Sequence, residues 1–210
     1  MRDYLPVTIR LYRAPFSTNV ERVALALAHK GLEAESGVID YTDRSAVIEV
    51  SGQPLVPVIV DGDEVVSDSL AIMRHLEERS PQPPLFPSDP AGRAQIDLFL
   101  EWFDGVWKGP PNEIEAELSK DEPDRERIAA LAGQMDAWLD LFEGLLAGGD
   151  HLFGDFSAAD CAAFPFLKYA LSRDPADDEL FHRILDEHQS ATGRPRLVSW
   201  IERMDARPRA

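Results

Sequence analysis

Leu55-Val-Pro-Val-Ile-Val-Asp-Gly-Asp-Glu-Val-Val-Ser-Asp-Ser69 decides how the first part of this chain folds. Pro57-Val-Ile-Val60 and Glu64-Val-Val66 are β-branched runs on either side of Asp61-Gly62. Asp-Gly supplies the positive φ values that a tight hairpin turn needs. Proline at the head of the first run cannot donate to a ladder, so it belongs at an edge or a bend. Ser67 or Asp68 then caps a helix that reaches Glu78, with Leu70, Ile72, Met73 and Leu76 available for burial.

Upstream, Val7-Thr-Ile-Arg-Leu-Tyr12 alternates at period two and predicts a strand. Asn19 to Lys30 predicts a helix, with Val20, Val23, Ala24, Leu27 and Ala28 on one face and Gly31 as the stop. Val38-Ile39 marks a second strand, and Ser45 to Val50 a short helix. Strand, helix, strand, helix, hairpin and helix make an α/β sandwich on a mixed sheet.

Downstream, the β-branched runs stop. Ser80-Pro-Gln-Pro-Pro-Leu-Phe-Pro-Ser-Asp-Pro90 holds five prolines, which forbid regular helix and favour a stiff extended linker. Asp89-Pro90 is an N-cap followed by proline at the first helical position. Ile96, Phe99, Leu100, Phe103, Val106 and Trp107 then recur at helical spacing, as do Ile128, Leu131, Met135, Trp138, Phe142 and Leu145. Ser157-Ala-Ala-Asp160 has the form of a capping box and opens an apolar helix through Leu171, kinked at Pro165. Leu197, Trp200, Ile201 and Met204 predict a last short helix, while Arg173 to Gly193 is acidic and weakly patterned. The expected organisation is an α/β domain over residues 6–80, a linker over 81–90 and an all-α domain over 91–207.

Composition excludes several functions. The chain has 210 residues, is 44% apolar, and carries a formal net charge of −17. Such a charge repels phosphates and anionic membrane surfaces, so neither nucleic acid nor membrane is an expected partner. A small anion needs a locally positive site, such as a helix N-terminus. The single cysteine, Cys161, allows no internal disulfide and no CxxC motif, which fits a reducing compartment. No apolar run approaches the roughly 18 residues that span a bilayer. Met1-Arg-Asp-Tyr4 opens no signal peptide, so a cytoplasmic protein is expected. The five histidines share no metal-ligand spacing and read as surface or capping residues, and no metal is expected.

Three features of the first domain bear on chemistry. Phe16-Ser-Thr-Asn19 lies between the first strand and the first helix. A hydroxyl and an amide there, backed by free helix N–H groups, suit an anion such as a thiolate; an ordinary N-cap uses the same residues. A cis bond at Val56–Pro57 would leave the Val56 backbone open to an extended peptide, whereas a trans proline would merely start the strand. Asp68 could take an ammonium and Ser69 the adjacent carboxylate, or both could be a plain cap.

Taken together, these elements resemble the glutathione-binding half of the cytosolic glutathione S-transferase family. The likeness runs through Ser17-Thr-Asn-Val-Glu-Arg-Val-Ala-Leu-Ala-Leu-Ala-His-Lys-Gly31, Leu55-Val-Pro57, Asp68-Ser-Leu-Ala-Ile72, Pro84-Leu-Phe-Pro87 and Asp89-Pro90. Gly154-Asp-Phe-Ser-Ala-Ala-Asp160 and Trp200-Ile-Glu-Arg-Met-Asp-Ala-Arg-Pro208 are similar to later signatures of the family. The resemblance implies a thioredoxin-like N-terminal domain followed by an all-helical C-terminal domain. It implies a cis Val56–Pro57, with Leu55, Val56, Pro57, Asp68 and Ser69 binding glutathione as co-substrate, and Arg44 the nearest cation for the glycyl carboxylate. It places Ser17 at the catalytic position of serine-type members, and Asn19 where some bacterial members use Asn. A small apolar electrophile is then expected between the domains, lined by Phe16, Phe103 and Trp107, in a homodimer. Thr18 stands where the family often has Pro, and Leu55 where a polar residue often helps glutathione. These departures leave room for another low-molecular-weight thiol or for a non-catalytic binding or structural relative; a peroxidase or a disulfide reductase is a third alternative, the latter working best with a Cys, which position 17 lacks.

Overall fold

A four-stranded sheet of order β2-β1-β3-β4 organises the first unit of the computed structural model, which describes residues 8–40 and 42–210. This unit comprises Met1–Phe86 with Pro208–Ala210, and the second comprises Pro87–Arg207. Val7, the first residue of the expected opening strand, lies outside the described residues.

The first unit runs β1 (Ile9–Arg13), α1 (Thr18–His29), β2 (Ala34–Val38), α2 (Ser45–Ser51), β3 (Val58–Asp61), β4 (Glu64–Ser67) and α3 (Ser69–Arg79). β1 pairs parallel with β2 and antiparallel with β3, and β3 pairs antiparallel with β4. Because β1 has a neighbour on each side, Ile9, Leu11 and Tyr12 are all buried and only Arg10 breaks the apolar run. α1 is covered on nearly every face, which its small alanines permit.

Two local expectations for the first unit need correction. β2 covers Ala34–Val38, whereas Val38-Ile39 was the expected centre. As an edge strand it is held by its backbone ladder, so its Ala-Glu-Ser-Gly-Val sequence carries no alternation. Ile39 follows it, its N–H bonded to the Arg13 carbonyl at 2.8 Å, and joins Tyr12, Ala14, Val47 and Val58 in a core cluster. In the hairpin, Asp61 pairs with Glu64, so the turn residues are Gly62 and Asp63. Only Gly62 has positive φ, at 64°. That is the signature of a II′ turn rather than of two left-handed residues.

The proline-rich stretch is not a free spacer. Lys30 is buried, and its ammonium donates to Glu77 Oε2, to the Ser80 carbonyl at 2.6 Å and to the Pro83 carbonyl at 2.9 Å. All three of its donors are therefore used. Glu77 Oε2 also accepts the Leu85 N–H at 2.9 Å, and Leu85 and Phe86 are buried. Gln82–Pro83 is cis. At the other end of the chain, Arg209 pairs with Glu21 of α1 at 2.9 Å.

The second unit contains α4 (Pro90–Trp102), a π-helical turn (Phe103–Trp107), α5 (Gly109–Leu118), α6 (Arg125–Leu145), α7 (Ala158–Leu167), α8 (Leu180–His188) and α9 (Pro195–Asp205). The π turn changes the helical phase. Phe103 and Trp107 both turn inward, while Val106, expected on the apolar face, is 46% exposed. α7 ends at Leu167 and passes into a 3₁₀ turn over Lys168–Ala170, short of the expected Leu171. α8 was not expected. Its Phe181, Ile184 and Leu185 are spaced for one face, with Arg183, Asp186 and Glu187 at the intervening and following positions. His182, read from sequence as a surface residue, is buried there with Nδ1 2.9 Å from Asp177 Oδ1.

The Ser157-Asp160 capping box is present. The Asp160 carboxylate is wholly buried and accepts from Leu152 N at 3.1 Å, Ser157 N at 3.0 Å, Ser157 Oγ at 3.3 Å and Trp200 Nε1 at 2.9 Å. It thus ties the start of α7 to α9. Asp160→Ala strands these donors, and we expect a loss of about 3 kcal/mol in urea unfolding. A loss below about 1 kcal/mol would show that the network is dispensable.

Glu115 of α5 titrates above the ordinary range, because burial and the charge of Glu179 outweigh the pull of His182. The folded chain therefore holds this proton more tightly than the unfolded chain. Its favourable contribution is complete below the ordinary value of 4.5 and is lost as pH rises through the raised folded value. Glu115→Gln is expected to flatten that limb of the melting temperature against pH. An unchanged profile would remove Glu115 as its source.

Candidate active site

Strand register gathers the three segments singled out by sequence. Tyr12 of β1 pairs with Val58 of β3, and Val58 pairs with Ser67 of β4. β1 and β4 run in the same direction, opposite to β3. The residues after Tyr12, before Val58 and after Ser67 therefore leave the sheet at one end, on neighbouring strands about 4.8 Å apart. Val56–Pro57 stands in the middle, with the Phe16-Ser17 loop on one side and Asp68-Ser69 on the other. α1 and α3 both begin there, so two helix N-termini contribute positive potential at this end of an acidic chain.

Backbone strain concentrates at the same place. Among the described residues, Phe16 at 57° and Asp68 at 76° are the non-glycine positions with positive φ. Each such conformation costs of order 1–3 kcal/mol and persists only where its surroundings enforce it. At Phe16 the turn redirects the chain from β1 into α1, leaving the ring 38% exposed beside Ser17.

Ser17 is the N-cap of α1 and half-buried, and its Oγ accepts the Val20 N–H at 3.4 Å. The hydroxyl proton goes to no described residue. A hydroxyl so polarised is a ready donor to an anion in front of it. Asn19 is half-buried in the first turn of α1.

Val56–Pro57 is cis, as the resemblance implied. Val56 leans on the cluster of Tyr12, Ala14, Ile39, Val47 and Val58, and Pro57 is buried. Leu55 is 71% exposed, so its side chain offers no packing to the fold. Its backbone is fixed by Gln53, whose Oε1 accepts the Leu55 N–H at 2.6 Å and whose Nε2 donates to the Leu55 carbonyl at 2.9 Å. Sequence reading passed over Gln53, since an amide two residues before an exposed leucine carries no signal of its own.

Asp68 is exposed and caps α3, its Oδ1 accepting from Leu70 N and Ala71 N, each at 3.0 Å. Ser69 is only 3% exposed, and its Oγ accepts from Arg22 Nη1 at 3.2 Å. Arg22 is fully buried on α1 and was also missed. An arginine inside an otherwise apolar helix period was the available signal.

Phe103 and Trp107 require a correction as pocket residues. Both are completely buried, with rings stacked 4.5 Å apart at 10°, and Phe142 and Phe166 pack edge-on against them. They build the core of the helical unit. Arg44 precedes α2, where it helps hold Asp40 below the ordinary carboxylate range; the Thr42 backbone and side-chain hydrogen bonds to Asp40 are the larger causes. Among the described residues no group of three His, Cys, Asp or Glu is placed to hold a metal ion.

Two family models match the chain. Residues 11–84 match the glutathione S-transferase N-terminal domain, and residues 125–203 match its C-terminal domain. The chain belongs to the glutathione S-transferase family. Its first unit is the thioredoxin-like domain of that family and its second the helical domain. Glutathione S-transferase 3 of Zea mays is 30% identical over 216 residues, covering 95% of this chain and 90% of the maize protein. A Methylobacterium radiotolerans glutathione S-transferase, solved in complex with glutathione sulfonate, superposes with a TM-score of 0.74 at 26% identity, covering 96% of this chain and 92% of its own. A stringent starvation protein A homolog of Coxiella burnetii is 29% identical over 161 residues, covering 75% of this chain and 73% of that protein. The chain is thus also similar to a protein that is not named a transferase.

Proposed function

We propose that this glutathione S-transferase relative binds glutathione across the end of its sheet and activates the thiol for attack on a small apolar electrophile. The observation that carries this reading is the shared register of the Ser17 loop, the cis Val56–Pro57 joint and Asp68-Ser69. An extended tripeptide would pair its cysteinyl backbone with Val56. Its γ-glutamyl head would lie against Asp68 and Ser69, and its sulfur would reach Ser17. The bound glutathione sulfonate of the Methylobacterium relative supports the ligand class.

In this reading the thiol loses its proton to solvent, and the thiolate is held by the Ser17 hydroxyl, by Asn19 and by the N-terminal dipole of α1. The sulfur lone pair then forms the new S–C bond, while the electrophile's leaving group departs with its electron pair or its double bond opens. Phe16 is the exposed apolar surface beside the sulfur. Disulfide exchange is disfavoured because position 17 is a serine and Cys161 is buried. A reducing cytoplasm is the matching compartment.

A second reading, a binding relative without catalysis, draws on the similarity to the stringent starvation protein A homolog and on the exposed Leu55. Calorimetry with glutathione separates the two, since absence of heat at millimolar ligand favours the binding relative.

The transferase reading predicts a bound-thiol pKa well below the free value of about 8.5. In Ser17→Ala it should rise by about one unit or more, and the acidic limb of kcat at saturating glutathione should move up in pH by the same amount. Ultraviolet thiolate absorbance on titration measures the shift, and an equal pKa in both proteins would eliminate Ser17 from the mechanism.

The same family likeness leads us to propose a homodimer. Sedimentation at micromolar protein is expected to give twice the chain mass of 23.4 kDa, and a monomer throughout would refute it.

A further inference from the structure

We propose that Arg209 is a positioning residue of the Ser17 site: it pairs with the Glu21 carboxylate, one helical turn behind Ser17, so that this negative charge does not oppose a thiolate at the start of α1. The inference rests on the glutathione-binding reading above. α9 stops at Asp205, and Pro208–Ala210 belong to the first unit. There they form a short strap on α1 and the end of β1. The Ala210 N–H donates to the Ala24 carbonyl at 3.1 Å, and Arg13 Nη2 donates to the main-chain oxygen of Ala210 at 2.6 Å. These bonds seat Arg209 beside α1, where its Nη2 and Nε donate to Glu21 Oε1 at 2.9 Å and 3.3 Å. The Arg209 and Glu21 side chains are only 24% and 16% exposed, so solvent ions screen the pair less than one on the open surface.

The place of Glu21 gives the pair its meaning. Its N–H donates to the Ser17 carbonyl at 3.0 Å, so Glu21 closes the turn that Ser17 caps. Residues at this spacing share a helix face, with Cβ atoms about 6 Å apart. An acidic residue in the first turn suits the positive end of a helix dipole. The same charge repels a second anion drawn to that end. Arg209 resolves the conflict with a guanidinium that keeps its proton at every working pH. Arg13, Arg22, Asp40 and Asp68 are also charged near this end of the sheet, and none of them changes in the variants below. The strap has a mechanical side as well. Arg13 precedes the strained Phe16 turn, while Glu21 and Ala24 follow it, so the strap ties together the elements that flank the turn. Arg209 touches no ligand in this scheme and acts through Glu21.

The test reads the pKa of bound glutathione from thiolate ultraviolet absorbance in each variant. Arg209→Gln removes this partner from Glu21 and should raise the pKa by about 0.5 unit. Glu21→Gln leaves the guanidinium without this carboxylate and should lower it by about the same amount. The double variant should return to within about 0.2 unit of wild type. A merely loosened loop would raise the pKa in both single variants. Shifts of the same sign, or a single variant without a shift, would therefore overturn the assignment while leaving the site reading intact. Where Arg209→Gln does not fold, Arg209→Lys keeps the charge without the fork geometry. It should hold the wild-type pKa, and a rise there would also overturn the assignment. Wild type that binds no glutathione, or binds it with the thiol at its free value of about 8.5, would defeat the site reading and this inference together.

Discussion

The pairing of Val58 with Tyr12 on one side and Ser67 on the other is the constraint on which the first unit depends. It sets β3 between β1 and β4, and so brings together segments far apart in sequence. Slipping this ladder by one residue would turn Val58 and Ile59, both fully buried, toward the wrong faces. The core therefore enforces the register, and the register assembles the site. Strain at Phe16 and Asp68 is carried by the rigid elements on either side of each.

Burial in this chain repeatedly uses charged groups as ties. Lys30 and Glu77 hold the proline-rich stretch, Asp160 gathers four donors, and Arg22 joins α1 to the start of α3. Each of these groups is costly to remove from water and recovers that cost only when its partners are all in place. Such ties specify one arrangement where apolar packing alone would tolerate several.

The charge balance acquires a local meaning from this architecture. A chain of −17 repels anions at long range. At the sheet end, two helix N-termini act over a few ångströms, where the field of fixed dipoles dominates. The proposed function asks this end to take a ligand carrying both signs of charge, with Asp68 answering its ammonium.

The sequence by itself determined the class of each unit, the hairpin, the capping box and the turns where chemistry would sit. Their signals are local: β-branched runs, Asp-Gly, Ser-x-x-Asp and a proline at a strand head all act within a few residues. Tertiary structure alone decided which of those residues come together at the sheet end. Phe103 and Trp107 share the spacing of an aromatic lining, yet a π turn directs them into the core. β2 has no alternation because its partner's backbone holds it, and α8 hides among charges. Arg22 and Ser69 lie 47 residues apart, and their hydrogen bond exists only once β1, β3 and β4 are side by side. Local propensity is written in neighbouring residues, whereas a site made by register depends on contacts that no single stretch of sequence contains.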